Sequence, residues 1–227
     1  MKAAPKNKLV CYVTDRKQLA AADAAGEPAA ALLEKIRAAA AAGADWVQIR
    51  EKDLPARELL ELARKAVATA AGAKVIVNDR LDVALAAATA GVHLGQESAP
   101  AREVVRWCRA GNAPPEFLVG ISCHNTEEGR QAEIAGADYV SFGPVFETPS
   151  KKSFGAPQGI ARLAEFCRKT PMPVIAIGGV NEQNVADCIR AGAAGIAAIR
   201  MFQESRRPAE FSAAIARIKA RVDKPRT

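Results

Sequence analysis

The turn Ala42-Gly43-Ala44-Asp45 returns in this chain as Ala135-Gly136-Ala137-Asp138 and, with one change, as Ala191-Gly192-Ala193-Ala194. A run of strong helix formers precedes each copy, and a short apolar run follows it. A glycine just past a helix favours the left-handed conformation that ends the helix. The repeated turn therefore predicts three transitions from a helix to a strand.

The same alternation of strand, turn and helix extends along the whole chain. Short apolar runs predict strands at 9–14, 46–50, 74–78, 92–94, 117–122, 139–142, 173–177 and 195–199. Segments rich in Ala, Leu, Glu, Lys and Arg predict helices at 29–42, 56–71, 81–90, 101–109, 126–135, 160–169, 182–191 and 209–221. The runs lack clean alternation, as is typical of strands buried on both faces of a parallel sheet. Eight such units indicate a single (β/α)8 TIM barrel rather than a flavodoxin-like sheet of about five strands.

Composition limits the class of protein. The chain has 227 residues, of which 49% are hydrophobic and 25% charged. This apolar content excludes a disordered chain, and no uncharged apolar stretch of about 18 residues predicts a membrane span. The basic N-terminus lacks the apolar core of a signal peptide. No linker divides the chain, so we expect one domain over residues 1–227, with residues 1–8 as a flexible basic tail.

Charge and cysteine content indicate the partners and the compartment. The net charge is +7, but two Trp and two Tyr give few platforms for stacking bases, so we expect no nucleic acid. Solvated helix faces account for most of the excess, and a phosphorylated small molecule suits the rest. Five cysteines without a C-x-x-C pair fit a reducing cytoplasm. The sequence leaves a homo-oligomer open.

The carboxyl ends of the strands are where barrels of this type build active sites. Gln48, Arg50 and Lys52 follow the second predicted strand and alternate along an extended segment, so they can converge on one anion or ring. Arg and Lys together suit phosphate or pyrophosphate. The alternative is a surface ladder of ion pairs with Glu51 and Asp53.

Two further strand ends carry candidate ligand groups. Asn78 and Asp79 end the third strand, where an amide can orient a substrate and a carboxylate can bind Mg²⁺. The alternative for Asp79 is an N-cap of the next helix. Gly178 and Gly179 follow the seventh strand, where adjacent backbone N–H groups can surround a phosphate. The alternative there is a tight turn.

The segment 143–155 is longer than the usual connection of about 2–6 residues between a strand and a helix. Its hydroxyls at Thr148 and Ser150, beside Lys151, can bind phosphate, and a mobile loop can close over a reaction. The alternative is a disordered insertion.

The two histidines lie near strand ends. His124 comes directly after the fifth strand and can transfer protons. His93 lies within an apolar run, which favours a packed histidine.

These motifs together resemble the thiamine phosphate synthase family and, almost as closely, its sister, the thiazole tautomerase family. The residues that carry the resemblance are 48–52, 77–79, 92–96, 120–124, 143–151 and 176–179. The resemblance covers nearly the whole chain. The resemblance implies a (β/α)8 barrel that uses Mg²⁺. It also implies coupling of 4-amino-5-hydroxymethyl-2-methylpyrimidine pyrophosphate to a thiazole phosphate, with release of pyrophosphate.

The resemblance also implies roles for particular residues. The positions that hold the pyrimidine pyrophosphate are Gln48, Arg50, Lys52, Asn78, Ser122 and Lys151. The positions that hold the thiazole phosphate are Thr148, Ser150, Gly178, Gly179, Ile199 and Arg200. The implied catalytic residues are Arg50, Lys52 and Lys151, with His124 for proton transfer, and the implied metal ligands are Asp79 and Ser98.

Two departures from the family pattern favour the sister family. Ser98 stands where the synthases have a second aspartate, so the metal site is open, shifted to Glu97 or absent. Arg200 replaces a small serine beside the phosphate, where it strengthens binding or fills the pocket. A tautomerase needs no metal and would use His124, but it does not need the cations of 48–52. We therefore favour the synthase, with a non-catalytic phosphate sensor as a third alternative.

Overall fold

The computed structural model describes residues 8–19, 27–148, 156–203 and 208–222. Its strands are β1 (Leu9–Val13), β2 (Trp46–Ile49), β3 (Lys74–Asn78), β4 (Gly91–Leu94), β5 (Leu118–Cys123), β6 (Tyr139–Phe142), β7 (Val174–Ile177) and β8 (Gly195–Ala198). Each strand is parallel to the next, and β8 pairs with β1 to close the sheet. The predicted (β/α)8 TIM barrel is confirmed.

Helices separate the strands. They are α1 (Pro28–Ala41), α2 (Ala56–Thr69), α3 (Leu81–Ala86), α4 (Ala101–Trp107), α5 (Thr126–Ala135), α6 (Gly159–Lys169), α7 (Val185–Arg190), α8 (Arg200–Gln203) and α9 (Pro208–Val222). The clearest differences from the prediction are at α3 and α8. Helix α3 ends at Ala86 rather than residue 90, because Ala88 adopts a left-handed φ of +51° that a helix cannot continue through. Helix α8 is an extra short helix before the last one.

The strands bury two separate apolar layers. Along β1, Leu9, Cys11 and Val13 point into the barrel, whereas Val10 and Tyr12 point out to the helices. The inner layer also contains Ile76, Leu118, Tyr139, Ile175 and Ala197. The outer layer is larger and lies between the strands and the helices. Both faces of the sheet are thus apolar, which explains why the strand sequences do not alternate.

The repeated turn works as predicted. Gly43, Gly136 and Gly192 have φ values of +95°, +82° and +105°, which are left-handed conformations that glycine adopts without strain. Gly136 ends α5 as its C-terminal cap. The three turns therefore end three helices and start β2, β6 and β8.

The aspartate of the turn has a second function that the sequence does not reveal. The carboxylate of Asp45 accepts a hydrogen bond from the Val10 N–H of β1 at 2.7 Å. The carboxylate of Asp138 accepts one from the Val119 N–H of β5, also at 2.7 Å. Each aspartate thereby fixes its turn to the preceding strand, an attachment that the third copy lacks because it has Ala194.

The tail predicted over residues 1–8 lies outside the described residues except for Lys8, whose ammonium donates to the Ala193 carbonyl at 2.9 Å. Among the described residues, no helix combines the length and the apolar composition needed to cross a membrane.

We predict that Asp138→Ala lowers the free energy of unfolding by about 1–3 kcal/mol, because it leaves the Val119 N–H without its acceptor. The carboxylate also binds Arg109 at 2.6 Å, so its loss leaves that cation unpaired at this contact. Urea unfolding measures the effect. Glu103→Ala, which breaks an exposed ion pair with Arg106, is the control and costs less than about 0.5 kcal/mol. Equal losses in the two variants would contradict the prediction.

Candidate active site

The ends of β2 and β3 are joined by a chain of side-chain amides. The Gln48 Nε2 donates to the Asn78 Oδ1 at 3.0 Å, and the Asn78 Nδ2 donates to a carboxylate oxygen of Asp79 at 2.6 Å. Gln48 is only 8% exposed, so its remaining amide atoms must find partners within the site. Three residues predicted from the sequence are thus brought together.

Asp79 lies in a left-handed conformation, with φ of +62°. Its Oδ1 accepts the Ser98 hydroxyl and, at 3.2 Å, the Gly95 N–H. Helix α3 begins after Arg80 without any side-chain cap, so the alternative that Asp79 caps this helix is wrong. The carboxylate is directed instead toward the residues after β4.

The donor set at Asp79 limits the metals that it can bind. Among the described residues, no three His, Cys, Asp or Glu side chains form a cluster able to hold a metal ion. One carboxylate and the adjacent Ser98 hydroxyl remain. This pair fits Mg²⁺, which binds one or two carboxylates and takes its other ligands from water and substrate phosphates. Glu97 is exposed next to Ser98.

The cations after β2 are available for an anion. Arg50 is half-buried and Lys52 is exposed, and neither forms an ion pair with a carboxylate of the described residues. The ladder of ion pairs with Glu51 and Asp53 is therefore wrong. Both carboxylates pair with Arg16, at 3.0 and 2.7 Å.

Glu51 forms a clamp between the ends of β1 and β2. Its side chain, which is 1% exposed, accepts the Thr14 hydroxyl at 2.6 Å and the Arg16 guanidinium at 3.0 Å. The Thr14 oxygen in turn accepts the Arg50 N–H at 3.0 Å. The clamp fixes the backbone that carries Arg50 and Lys52. Sequence reasoning missed it, because Thr14 and Arg16 come from a distant part of the chain.

On another part of the rim, Gly178 and Gly179 have φ values of +94° and +66°. A Cβ on Gly178 would lie 2.5 Å from the Pro144 Cα, and a Cβ on Gly179 would lie 2.5 Å from the Glu147 carbonyl oxygen. Neither glycine N–H donates to another described residue. The pair is a tight turn, as the alternative held, and it also leaves two adjacent donors for an anion.

The other residues implied for the thiazole phosphate are only partly described. Thr148 is half-buried after β6, Ile199 is half-buried after β8, and Arg200 is exposed at the start of α8. Ser150 and Lys151 lie outside the described residues.

His93 is buried, as predicted, and it is also fully hydrogen-bonded. Its Nδ1 lies 3.1 Å from the Tyr139 hydroxyl, and its Nε2 lies 3.0 Å from the Ser122 Oγ and 3.2 Å from the Ser141 Oγ. Burial lowers the pKa of His93 to about 4, against a weaker opposing attraction to Asp79. The imidazole is therefore neutral at physiological pH.

His124 lies in a separate polar cluster after β5. Its Nδ1 is 3.2 Å from a Glu128 carboxylate oxygen and 3.1 Å from the Gln96 Nε2. The ring is partly exposed. Gln96 is a neighbour that the sequence did not indicate.

Comparison with known proteins gives one consistent result. The family profile described as thiamine monophosphate synthase matches residues 12–202. The thiamine-phosphate synthase of Moorella thermoacetica is 46% identical over 169 residues, covering 74% of this chain and 78% of that protein. The thiamine-phosphate synthase of a Roseiflexus species is 44% identical, covering 84% and 76%. The structure of thiamine phosphate pyrophosphorylase from Pyrococcus furiosus has a TM-score of 0.79 and 29% identity, covering 94% and 95%.

We predict that the buried His93 makes the fold less stable as the pH falls from 7 to 5. The folded pKa of about 4 lies below the unfolded value of 6.5, so the unfolded state binds more protons in this window. The group therefore costs about 2 kcal/mol of stability between pH 7 and pH 5. Urea unfolding at both pH values measures it. His93→Asn loses less stability over this interval than the wild type, and an equal loss would contradict the assignment.

Proposed function

The chain belongs to the thiamine monophosphate synthase family, and from that premise we propose that it joins 4-amino-5-hydroxymethyl-2-methylpyrimidine pyrophosphate to a thiazole phosphate. The bond between the pyrimidine methylene carbon and the pyrophosphate oxygen breaks, and the leaving pyrophosphate keeps the electron pair. The thiazole nitrogen supplies the pair for the new carbon–nitrogen bond. The protein therefore needs no nucleophile of its own, and its task is to bind, orient and stabilise charge.

Gln48 and Asn78 bind the pyrimidine in this proposal. Their mutual hydrogen bond fixes both amide planes and leaves the Gln48 oxygen and one of its N–H groups unused by Asn78. An aminopyrimidine offers a ring nitrogen as acceptor and an amino group as donor, which matches this pair. Because Gln48 is buried, such a ligand supplies the partners that water otherwise would.

Arg50 and Lys52 bind the pyrophosphate, with Ser122 and Lys151 as further ligands. The support for this role is that Arg50 and Lys52 have no carboxylate partner among the described residues, while the adjacent Glu51 is bound by the Thr14 and Arg16 clamp. Their charge is thus available when negative charge develops on the leaving group. This is the observation that carries the proposal.

Asp79 and Ser98 would hold Mg²⁺ beside the pyrophosphate. When bound, the ion supplies positive charge for the leaving group. Gly95 and Ser98 hydrogen-bond the Asp79 carboxylate and orient it toward the barrel rim. The hydrogen bonds hold the carboxylate in place for the metal.

The N–H groups of Gly178 and Gly179 bind the thiazole phosphate, together with Thr148, Ser150, Ile199 and Arg200. Two adjacent donors without side chains suit a phosphate oxygen. We also place the enzyme in the cytoplasm, since all five cysteines are free thiols.

The decisive experiment incubates the protein with both substrates and Mg²⁺ and measures pyrophosphate and thiamine phosphate. We expect equal amounts of the two products and no turnover when either substrate is omitted. Isomerisation of a thiazole carboxylate phosphate without pyrophosphate, sensitive to His124→Ala and insensitive to chelator, would establish the tautomerase instead. Binding of either ligand without any turnover would establish a sensor.

We predict that Asp79→Asn lowers synthase turnover by about 10²-fold and raises the Mg²⁺ concentration needed, because it removes the carboxylate charge. Asparagine tolerates the left-handed backbone at this position, so the change separates charge from conformation. Steady-state rates over a Mg²⁺ titration measure the effect. Ser98→Asp adds a second carboxylate and lowers the Mg²⁺ requirement.

The control for this prediction is Asp82→Asn, which removes an exposed carboxylate of α3 that pairs with Arg80. We expect wild-type turnover and Mg²⁺ dependence from this variant. If Asp79→Asn behaves like Asp82→Asn, Asp79 is not a metal ligand.

A further inference from the structure

Three polar side chains form a hydrogen-bonded line across the barrel interior, from β6 through β4 to β5. The Tyr139 hydroxyl contacts the His93 Nδ1 at 3.1 Å, and the His93 Nε2 contacts the Ser122 Oγ at 3.0 Å. We refer to Tyr139, His93 and Ser122 as the relay. Tyr139 is 4% exposed and His93 is 3% exposed, so neither is positioned to contact substrate directly.

Gly120 of β5 makes the relay possible. It lies between His93 of β4 and Tyr139 of β6, and it pairs with both in the strand register. A Cβ at Gly120 would lie 2.1 Å from the Cζ of Tyr139, so the tyrosine ring crosses β5 over the missing side chain. The absence of a side chain at Gly120 therefore lets a residue of β6 reach one of β4.

The burial of Tyr139 determines where its proton lies. Burial raises the pKa of this phenol well above its usual value, so it stays protonated. Among the described residues, His93 is the hydrogen-bond partner of the Tyr139 hydroxyl. Because a buried donor without an acceptor costs about 1–3 kcal/mol, the hydroxyl proton must lie in this hydrogen bond. The tyrosine therefore donates to Nδ1. A neutral imidazole that accepts at Nδ1 carries its own proton on Nε2.

The direction of these hydrogen bonds extends to Ser122. The Nε2–H of His93 donates to the Ser122 Oγ. The Ser141 hydroxyl is a second donor to the same atom, with 3.4 Å between the two hydroxyl oxygens. With its oxygen accepting, Ser122 keeps its own hydroxyl proton for another partner. Ser122 is half-buried near the carboxyl end of β5, so this proton faces the site.

We propose that Tyr139 and His93 are positioning residues that hold Ser122 as a hydrogen-bond donor to the bound pyrimidine pyrophosphate. This inference rests on the proposed function only for the identity of the ligand. A hydroxyl that donates to an anionic oxygen forms a stronger bond than one between neutral groups. The opposite tautomer of His93 would accept the Ser122 proton and remove this donor from the substrate.

The first test reads the tautomer directly. The chain has only two histidines, so the ring nitrogens of ¹⁵N-histidine-labelled protein give few signals, and His124→Gln assigns them. At pH 7 we expect the His93 ring to be neutral, with its proton on Nε2. A proton on Nδ1, or a cationic ring, would overturn the proposal. This measurement needs no turnover, so it stands even if the proposed reaction fails.

The second test uses Tyr139→Phe, which removes the hydroxyl and keeps the ring. The chain has one other tyrosine, Tyr12, which lies on the outer face of β1 against Phe202, so Tyr12→Phe is the matched control. We expect Tyr139→Phe to lower kcat/KM for the pyrimidine pyrophosphate by about 3- to 10-fold. The KM for the thiazole phosphate and the activity of Tyr12→Phe stay at wild-type values. Equal effects on both substrates would indicate a merely structural role and overturn the proposal.

A double-mutant cycle separates the relay from a direct effect of Tyr139. In a Ser122→Ala background, Tyr139→Phe should change kcat/KM by less than about 2-fold, because the donor that it positions is already absent. An undiminished effect in that background would contradict the relay. Thermal unfolding verifies that each variant folds. If Tyr139→Phe does not fold, the tautomer of His93 in the wild-type protein decides.

Discussion

The sheet closes where the first residue of β8, Gly195, pairs with the first residue of β1, Leu9. The two backbones approach so closely that a Cβ on Gly195 would lie 2.4 Å from the Leu9 carbonyl oxygen. Closure brings the carboxyl ends of all eight strands to one rim. Without it, Ile199 after β8 and Thr14 after β1 would lie on opposite edges of an open sheet. The cations after β2 and the glycine donors after β7 would likewise belong to distant parts of that sheet.

The polar groups on this rim fall into two classes, according to whether their hydrogen-bond or ion-pair partners lie within the protein. Glu51 and His93 are buried and have hydrogen-bond partners within the fold. Arg50 and Lys52 have no carboxylate partner among the described residues, and they are available to a ligand. Through Thr14, Glu51 fixes the backbone that carries Arg50. Arg50 and Lys52 thus stay outside the ion pairs that Glu51 and Asp53 form with Arg16.

The sequence predicts the fold well, because the signals for it are local. The neighbouring residues in the sequence are enough to interpret the turn at Gly136, the apolar runs and the pair Gly178-Gly179. The partners of buried polar groups cannot be found in this way. Arg16 reaches Glu51 from 35 residues away and Tyr139 reaches His93 from 46 residues away, and only strand register brings each pair together. For this reason the predicted surface ladder of ion pairs between Arg50, Lys52 and Glu51 was wrong. Because Glu51 pairs with Arg16 instead, Arg50 stays available for a ligand.

The aspartate turns reveal an internal symmetry of the barrel. Asp45 binds the N–H of Val10, and Asp138 binds the N–H of Val119, four strands further round. The match extends outward, since Leu9 faces Gly195 as Leu118 faces Gly91, with the same close approach of the glycine to a carbonyl oxygen. The two constellations therefore lie four strands apart, at corresponding positions in the two halves of the eight-stranded barrel. The same turn sequence thus produces the same strand attachment and the same tight strand pairing in both halves of the barrel.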